Sequence, residues 1–384
     1  MRKKLLRPWI ITLVISLIYT GWILYLGHGN PLVFAEIGTR FSEGDPNGTE
    51  GYDGQFFYYI AVDPATAPQK IDVPAYRFQR ILYPLVARFL SLNQVSLIPW
   101  ILIIINLAGL VGSVWLTEQL LAQHRVNIWH ALPVGLFVGQ LLSIRVDLPE
   151  PLALALVLLG IWLFEYEQEQ NSAGRISKNL RLWSPKAAWL WSVLFFTLAV
   201  FTKETMLISG LAYALYLLSQ KELKKSIIFG FILVIPFSIY QLYLYFWLGH
   251  FGISSGGVGA TPFELIPFGG LFSVAQVSWP AFWLFLLILG PIVILPALWS
   301  LYSTGQDILA RQWHPWTLAL GLNALIILFL PNSTWREPLA MLRFSVLLVA
   351  LLILYSAQTK RWRALSYSYL WLCTLAFIIR EPLL

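Results

Sequence analysis

The amino-acid sequence predicts an all-α, polytopic integral membrane protein with about eleven transmembrane helices and further interfacial helices in its first exterior loop. Three observations predict it. The 384 residues are 58% hydrophobic and only 12% charged, and their mean hydropathy is +0.68, a balance that does not suit a water-soluble core of this size. Apolar runs of about twenty residues, each long enough to cross hydrocarbon, recur along the chain. The short connections between them carry Lys and Arg on alternate sides, the pattern of loops retained in the cytoplasm. No soluble insert or internal repeat interrupts the series, so residues 1–384 read as one transmembrane domain.

The basic stretch Met1-Arg-Lys-Lys-Leu-Leu-Arg7 leads an apolar run that begins at Pro8 and ends near Leu26, which puts the amino terminus in the cytoplasm. A cleaved signal peptide competes with this reading, since Val33-Phe-Ala35 loosely resembles a cleavage site, but the run is longer than a usual h-region. Residues 28–95 form the first exterior loop. Its part 28–75 is rich in Gly, Pro, Asn, Asp and Thr, with a short helix expected near 53–62 that Asp63-Pro64 ends. Tyr76–Leu90 is too charged to span. At about 100° per residue, Arg77, Arg80 and Arg88 share one stripe while Phe78, Leu82, Val86 and Phe89 share another, so one interfacial helix is predicted. Further spans are expected near 96–122, 128–144, 148–164, 187–202, 205–219, 226–248, 278–302, 315–331, 339–357 and 364–380.

Loops assigned to the cytoplasm by this order carry Arg125, then Arg175, Lys178, Arg181 and Lys186, then Lys221, Lys224 and Lys225, then Arg311, then Lys360, Arg361 and Arg363. The same parity gathers the remaining charges, Asp53 and Glu204 among them, at the exterior face. The net charge of +7 therefore belongs to retention signals in a plasma (inner) membrane and not to a nucleic-acid partner. Cys373 stands alone, which excludes an intrachain disulfide. The five histidines are scattered without metal-ligand spacing. No nucleophile elbow, phosphate-binding loop or dinucleotide fingerprint occurs. Residues 249–277, with two Gly pairs, are a flexible exterior loop, readable as a lid or as a plain connector.

The densest chemistry lies in Glu50-Gly-Tyr-Asp-Gly-Gln-Phe-Phe-Tyr-Tyr-Ile-Ala-Val-Asp63. Asp53 sits at the expected start of a helix, where an N-cap is its bland role. Gly51 and Gly54 permit close backbone approach, Gln55 adds a donor and an acceptor, and Tyr52 and Tyr59 offer surfaces that suit a sugar ring. Asp147 and Glu150, three residues apart, are a capped helix start or a pair for sugar hydroxyls. Lys203-Glu204 lies at a span edge, a structural pair or a site. Arg336 and Arg343 fall on one helical face, with Arg343 below the surface, where an arginine needs an anion. The Arg77, Arg80 and Arg88 stripe either holds a phosphate at headgroup depth or snorkels to anionic lipid.

Gly51-Tyr-Asp-Gly-Gln-Phe-Phe-Tyr-Tyr-Ile-Ala-Val-Asp-Pro64 followed by Tyr76-Arg-Phe-Gln-Arg-Ile-Leu-Tyr-Pro84 resembles the first exterior loop of bacterial membrane proteins of the GT-C glycosyltransferase class, relatives of the polyprenyl-phosphate-sugar mannosyltransferases. Asp147-Leu-Pro-Glu-Pro-Leu-Ala153 and Thr202-Lys-Glu-Thr205 are similar to the same group. The resemblance implies a GT-C fold, a polyprenyl-phosphate-linked sugar as donor, and a cell-envelope glycan or lipid as acceptor, with membrane lipids around it. It makes Asp53 the catalytic base. Arg77, Arg80, Arg343 and Lys203 are then the candidates for the donor phosphate, and Tyr52, Gln55, Tyr59, Asp147, Glu150, Glu204 and Arg336 for the sugar and acceptor. No soluble carboxy-terminal domain of the oligosaccharyltransferase kind is expected. No Asp-x-Asp motif accompanies the resemblance, so no cofactor is implied and a divalent metal stays open. The competing class is a transporter or flippase of lipid-linked sugars, which shares the many spans but needs its polar groups near the midplane. A non-catalytic assembly subunit is the third.

Overall fold

A computed structural model describes residues 6–173 and 184–383; Arg175, Lys178 and Arg181 and the basic residues before Leu6 lie outside them. The described residues are helical, with the single bridge Ile37–Gly51 as the only strand-like pairing among them. Helix α1 (Pro8–Leu26) has 19 residues, apolar all round, with a proline at its start. At 1.5 Å per residue it is about 28 Å long, a bilayer's hydrocarbon thickness. The first loop then holds α2 (Thr39–Ser42), α3 (Gly54–Val62), α4 (Pro74–Phe78) and α5 (Leu82–Leu90). A bundle follows: α6 (Ile98–Gln123), α7 (Leu132–Leu136), α8 (Val138–Arg145), α9 (Glu150–Ala173), α10 (Pro185–Thr202), α11 (Leu207–Ser219) and α12 (Leu223–Leu248). The remainder is α13 (Gly269–Val277), α14 (Trp279–Leu289), a π-turn (Gly290–Ile294), α15 (Leu295–Leu309), α16 (Pro315–Leu328), α17 (Asn332–Arg336), α18 (Pro338–Phe344), α19 (Val346–Gln358), α20 (Trp362–Tyr367) and a 3₁₀ segment (Ser368–Leu383).

Four stretches are long and apolar enough to cross a membrane, namely Pro8–Leu26, Val95–Gln123, Leu223–Leu248 and Trp279–Leu309. The pairs α7–α8 and α18–α19, each bent by 42°, raise the number to six if each pair is one span. The sequence-based expectation of about eleven exceeds this for physical reasons. Runs read as continuous are broken at Phe137 and Ser345, α9 carries Glu150, Glu165 and Glu167, and Lys186–Thr202, Glu204–Ser219 and Pro315–Leu328 are apolar but short. Large apolar side chains such as Phe246, Ile239 and Leu287 face outward, where lipid would cover them.

Helix α9 lies along both α6 and α10, and the main core buries Trp316, Trp335 and Trp371 completely. A second core seats the first loop. The Phe57 and Tyr83 rings meet edge to face with centroids 5.6 Å apart, the Tyr83 hydroxyl donates to the Leu102 carbonyl at 3.2 Å, and Asn106 Nδ2 donates to the same hydroxyl at 2.7 Å. These contacts fasten α3 and α5 to α6. At Gly54 a Cβ would lie 2.3 Å from the Val146 carbonyl oxygen. Only glycine lets the start of α3 rest on the turn between α8 and α9.

The single helix expected over Tyr76–Leu90 is two. Pro84 has no N–H for the Arg80 carbonyl, and its ring would strike that carbonyl in a continuous helix. The chain therefore turns through Gln79–Ile81 and restarts at Leu82, which leaves Pro84 in the tolerant first turn of α5. The face on which Arg77, Arg80 and Arg88 were to line up does not form.

Candidate active site

Asp53 ends the approach to α3 with helical backbone angles and makes no capping hydrogen bond. Its carboxylate instead meets Arg77 Nη2 at 2.9 Å, and its side chain stays 36% exposed. Arg77 is held by Asp72, which accepts from Nε and from Nη2 at 2.8 Å each, and its guanidinium lies over the Phe56 ring, 4.6 Å from the centroid. On the other side, Arg343 covers the Tyr52 ring at 5.2 Å and reaches Glu337 at 3.4 Å, while the Tyr52 hydroxyl donates to Glu337. Burial opposes ionisation of Asp53, but the Arg77 charge and then the Arg343 charge outweigh it and hold the carboxyl below its usual range. Asp53 is thus an ionised, partly open carboxylate paired with the Arg77 guanidinium and in the field of the Arg343 one.

A second tier of ion pairs lies against the first. Arg80 forks onto Glu204, with Nε donating at 2.8 Å and Nη2 at 2.7 Å, and Nη2 also donates to the Tyr76 hydroxyl at 2.7 Å. Lys203 meets Glu150 at 2.9 Å. Between Glu150, Lys203, Asn323 and Arg343 is a cavity of about 10 Å³, room for one water. Arg80 and Lys203 are therefore already neutralised, whereas Arg77 Nη1 and Arg343 Nε are buried donors with no hydrogen-bond partner. An incoming phosphate would find its unspent donors on Arg343 and Arg77. Arg80→Gln leaves the largely buried Glu204 without its cation, so we expect it to destabilise the protein by about 3 kcal/mol. A fall in the melting temperature larger than that of Arg88→Gln checks this, and an unchanged one would refute it.

Several residues read as substrate ligands from sequence serve the framework. Gln55 is wholly buried, with its Oε1 accepting from Gly38 N–H at 3.1 Å and its Nε2 donating to the Glu50 carbonyl at 2.7 Å. Tyr59 packs among Phe56, Ile60 and Phe78, with Lys70 over its ring. Arg88 turns back to the Ala61 and Val62 carbonyls, capping the end of α3. Arg336 donates to the Gly259 carbonyl at 3.3 Å. Asp147 lies beneath Gly54 with no exposed surface, a positive φ and no hydrogen-bond partner for either carboxyl oxygen. Burial, only partly offset by Arg145, pushes its carboxyl well above the carboxylate range, so it is a neutral acid that no sugar hydroxyl can reach. Tyr52, Asp53, Arg77, Arg80, Glu150, Lys203, Glu204 and Arg343 do come together.

The sequence reading missed Asp72 and Glu337, and it left residues 249–277 open between a lid and a plain connector. Nothing in the local pattern marks Asp72 beyond its place just before the proline that opens α4. The segment folds over Arg77: the Val258 N–H donates to Asp72 Oδ2 at 3.2 Å, the Ile253 N–H to Gln241 Oε1 at 3.1 Å, and Thr261 and Ser333 bond to each other. A Cβ at Gly257 would lie 2.9 Å from Arg77 Nη2. The segment covers Arg77, and Asp72 is its latch as well as the anchor of Arg77. Asp72→Asn keeps one acceptor oxygen but loses the charge that holds both. We expect faster proteolysis within 249–268 in this variant; cleavage no faster than in the unaltered protein would refute the latch.

Comparison of the chain with protein-family models, curated proteins and solved structures returns no match. The reading of the site rests on its own residues.

Proposed function

We propose that this chain is an integral-membrane glycosyltransferase that moves a sugar from a polyprenyl-phosphate donor to a cell-envelope glycan or lipid at the exterior face of the plasma membrane. The proposal includes a GT-C-like chain of about eleven crossings, in which the bent pairs, the short apolar helices, α9 and the terminal 3₁₀ segment make up the number. The observation that carries it is Asp53, an ionised carboxylate at the mouth of the first loop, paired with Arg77 in the field of Arg343 and not used as a helix cap.

In the reaction the acceptor oxygen attacks the anomeric carbon, its proton passes to Asp53, and the bond from that carbon to the phosphate oxygen breaks with its electron pair leaving on the phosphate. The charge that grows there is met by Arg343 Nε and Arg77 Nη1, which lowers the barrier more than it tightens ground-state binding. The same contact readies the base. A carboxylate held low by two cations is a weak proton acceptor, and a phosphate that draws on those cations raises its basicity at the moment it is needed. The 249–268 segment lies over Arg77, so it acts as a lid that opens to admit the donor phosphate.

Vesicles containing the purified protein and a radiolabelled polyprenyl-phosphate sugar, supplied with a membrane-glycan extract as acceptor, test the proposal. Label passing to the acceptor supports it. Label crossing the bilayer with its phosphate bond intact favours a transporter, and neither result overturns both.

A further inference from the structure

A second cavity opens between α15 and α20, beside the middle of α19. It has a volume of about 520 Å³ and is lined by Leu295, Leu298, Trp299, Tyr302 and Leu352, with Arg363 as its only charged residue. The size is that of a ligand site, not of a packing fault. The chain builds it deliberately. Gly290-Pro291 and Pro296 interrupt the helix between α14 and α15, producing the π-turn, a device often found at functional sites. The turn's loosened carbonyls are then taken from outside: the Tyr367 hydroxyl donates to Pro291 at 2.5 Å and the Trp371 indole N–H to Ile292 at 2.9 Å. The far wall is thereby strapped to the π-turn while Leu295, Leu298 and Tyr302 stay largely exposed.

The charge at the mouth selects the occupant. Lys360 donates to the His124 carbonyl and Arg361 pairs with Asp307 at 3.3 Å, but Arg363 is exposed and makes no ion pair or hydrogen bond among the described residues. One free guanidinium beside an apolar channel matches an anion attached to a hydrocarbon chain. We propose that this groove is a binding site for one anionic phospholipid of the bilayer, with an acyl chain along α15 and the headgroup phosphate on Arg363. Lipid tails gain little by exchanging one apolar wall for another, so the arginine supplies the selectivity.

Native mass spectrometry of the full chain, released from detergent containing equal phosphatidylglycerol and phosphatidylcholine, tests this. The unaltered protein should retain one phosphatidylglycerol with about fivefold preference over phosphatidylcholine, the ratio expected for one basic residue at a membrane surface. Arg363→Gln should keep bound lipid and lose the preference; Leu298→Trp, which fills the groove from a lipid-facing position, should lose the retained lipid. Equal retention of the two lipids by the unaltered protein, or a preference unchanged in Arg363→Gln, would overturn the assignment. A dimer in place of the lipid-bound monomer would do so too, by making the occupant a second copy of the chain.

Discussion

Asp53→Asn is expected to lower sugar transfer by about 10²–10⁴-fold, the usual contribution of a positioned general base, while the melting temperature falls less than in Arg80→Gln. The amide keeps the shape of the carboxylate but cannot take the acceptor's proton. Stability should survive because Arg77 retains its two-point contact with Asp72. The pH dependence follows from the same ion pair. The folded pKa of Asp53 lies below its unfolded value, so the carboxylate and the stability it contributes are present above about pH 4 and are lost as the pH falls through the folded value. Activity should therefore have no acid limb from Asp53 near neutrality. Turnover within threefold of normal in a folded Asp53→Asn protein would remove the residue from the chemistry.

Arg343→Gln is expected to cost about 10²–10³-fold in turnover with a lipid-linked donor, the loss typical of removing one charge-stabilising donor from an enclosed site. Arg343 carries the larger share because the other cations are committed: Arg80 to Glu204, Lys203 to Glu150, and Arg77 to two carboxylates. The Tyr52 contact with Glu337 does not need the guanidinium and should hold the local fold. Arg343→Lys should restore only part of the rate, since an ammonium cannot offer the planar fork. Single-turnover measurement separates the step. A loss no greater than that of Arg88→Gln, whose side chain faces α3, would place the phosphate elsewhere.

What was legible beforehand was chemical type. An acid between glycines directly after the first span, on a loop that cannot cross hydrocarbon, is visible in Gly51-Tyr-Asp-Gly54, and so is the basic character of Tyr76–Leu90. Partnership was not legible. Helical periodicity put Arg77 and Arg88 on one face because it assumed an unbroken helix, and one proline in the wrong turn for that helix separates them. Asp147 has the same local pattern as a helix cap or a ligand, and only the close approach of Gly54 to Val146 shows that it is sealed beneath α3. Asp72 and Glu337 were passed over because a carboxylate in a loop advertises nothing until its cation is in place.

The site's partners also enter the nascent chain at very different times. Asp53, Asp72 and Arg77 lie within one short loop and can join as soon as it has been synthesised, before the bundle exists. Arg80 waits for Glu204, 124 residues later, and Tyr52 for Glu337, 285 residues later. During vectorial synthesis the ribosome thus delivers the acid with its first arginine already guarding it, and the second arginine and the lid's support at Ser333 arrive near the end. A half-made chain thus holds the carboxylate quenched by Arg77 and lacks Arg343, so under the proposed function the order of translation withholds half of the phosphate site until the protein is nearly complete.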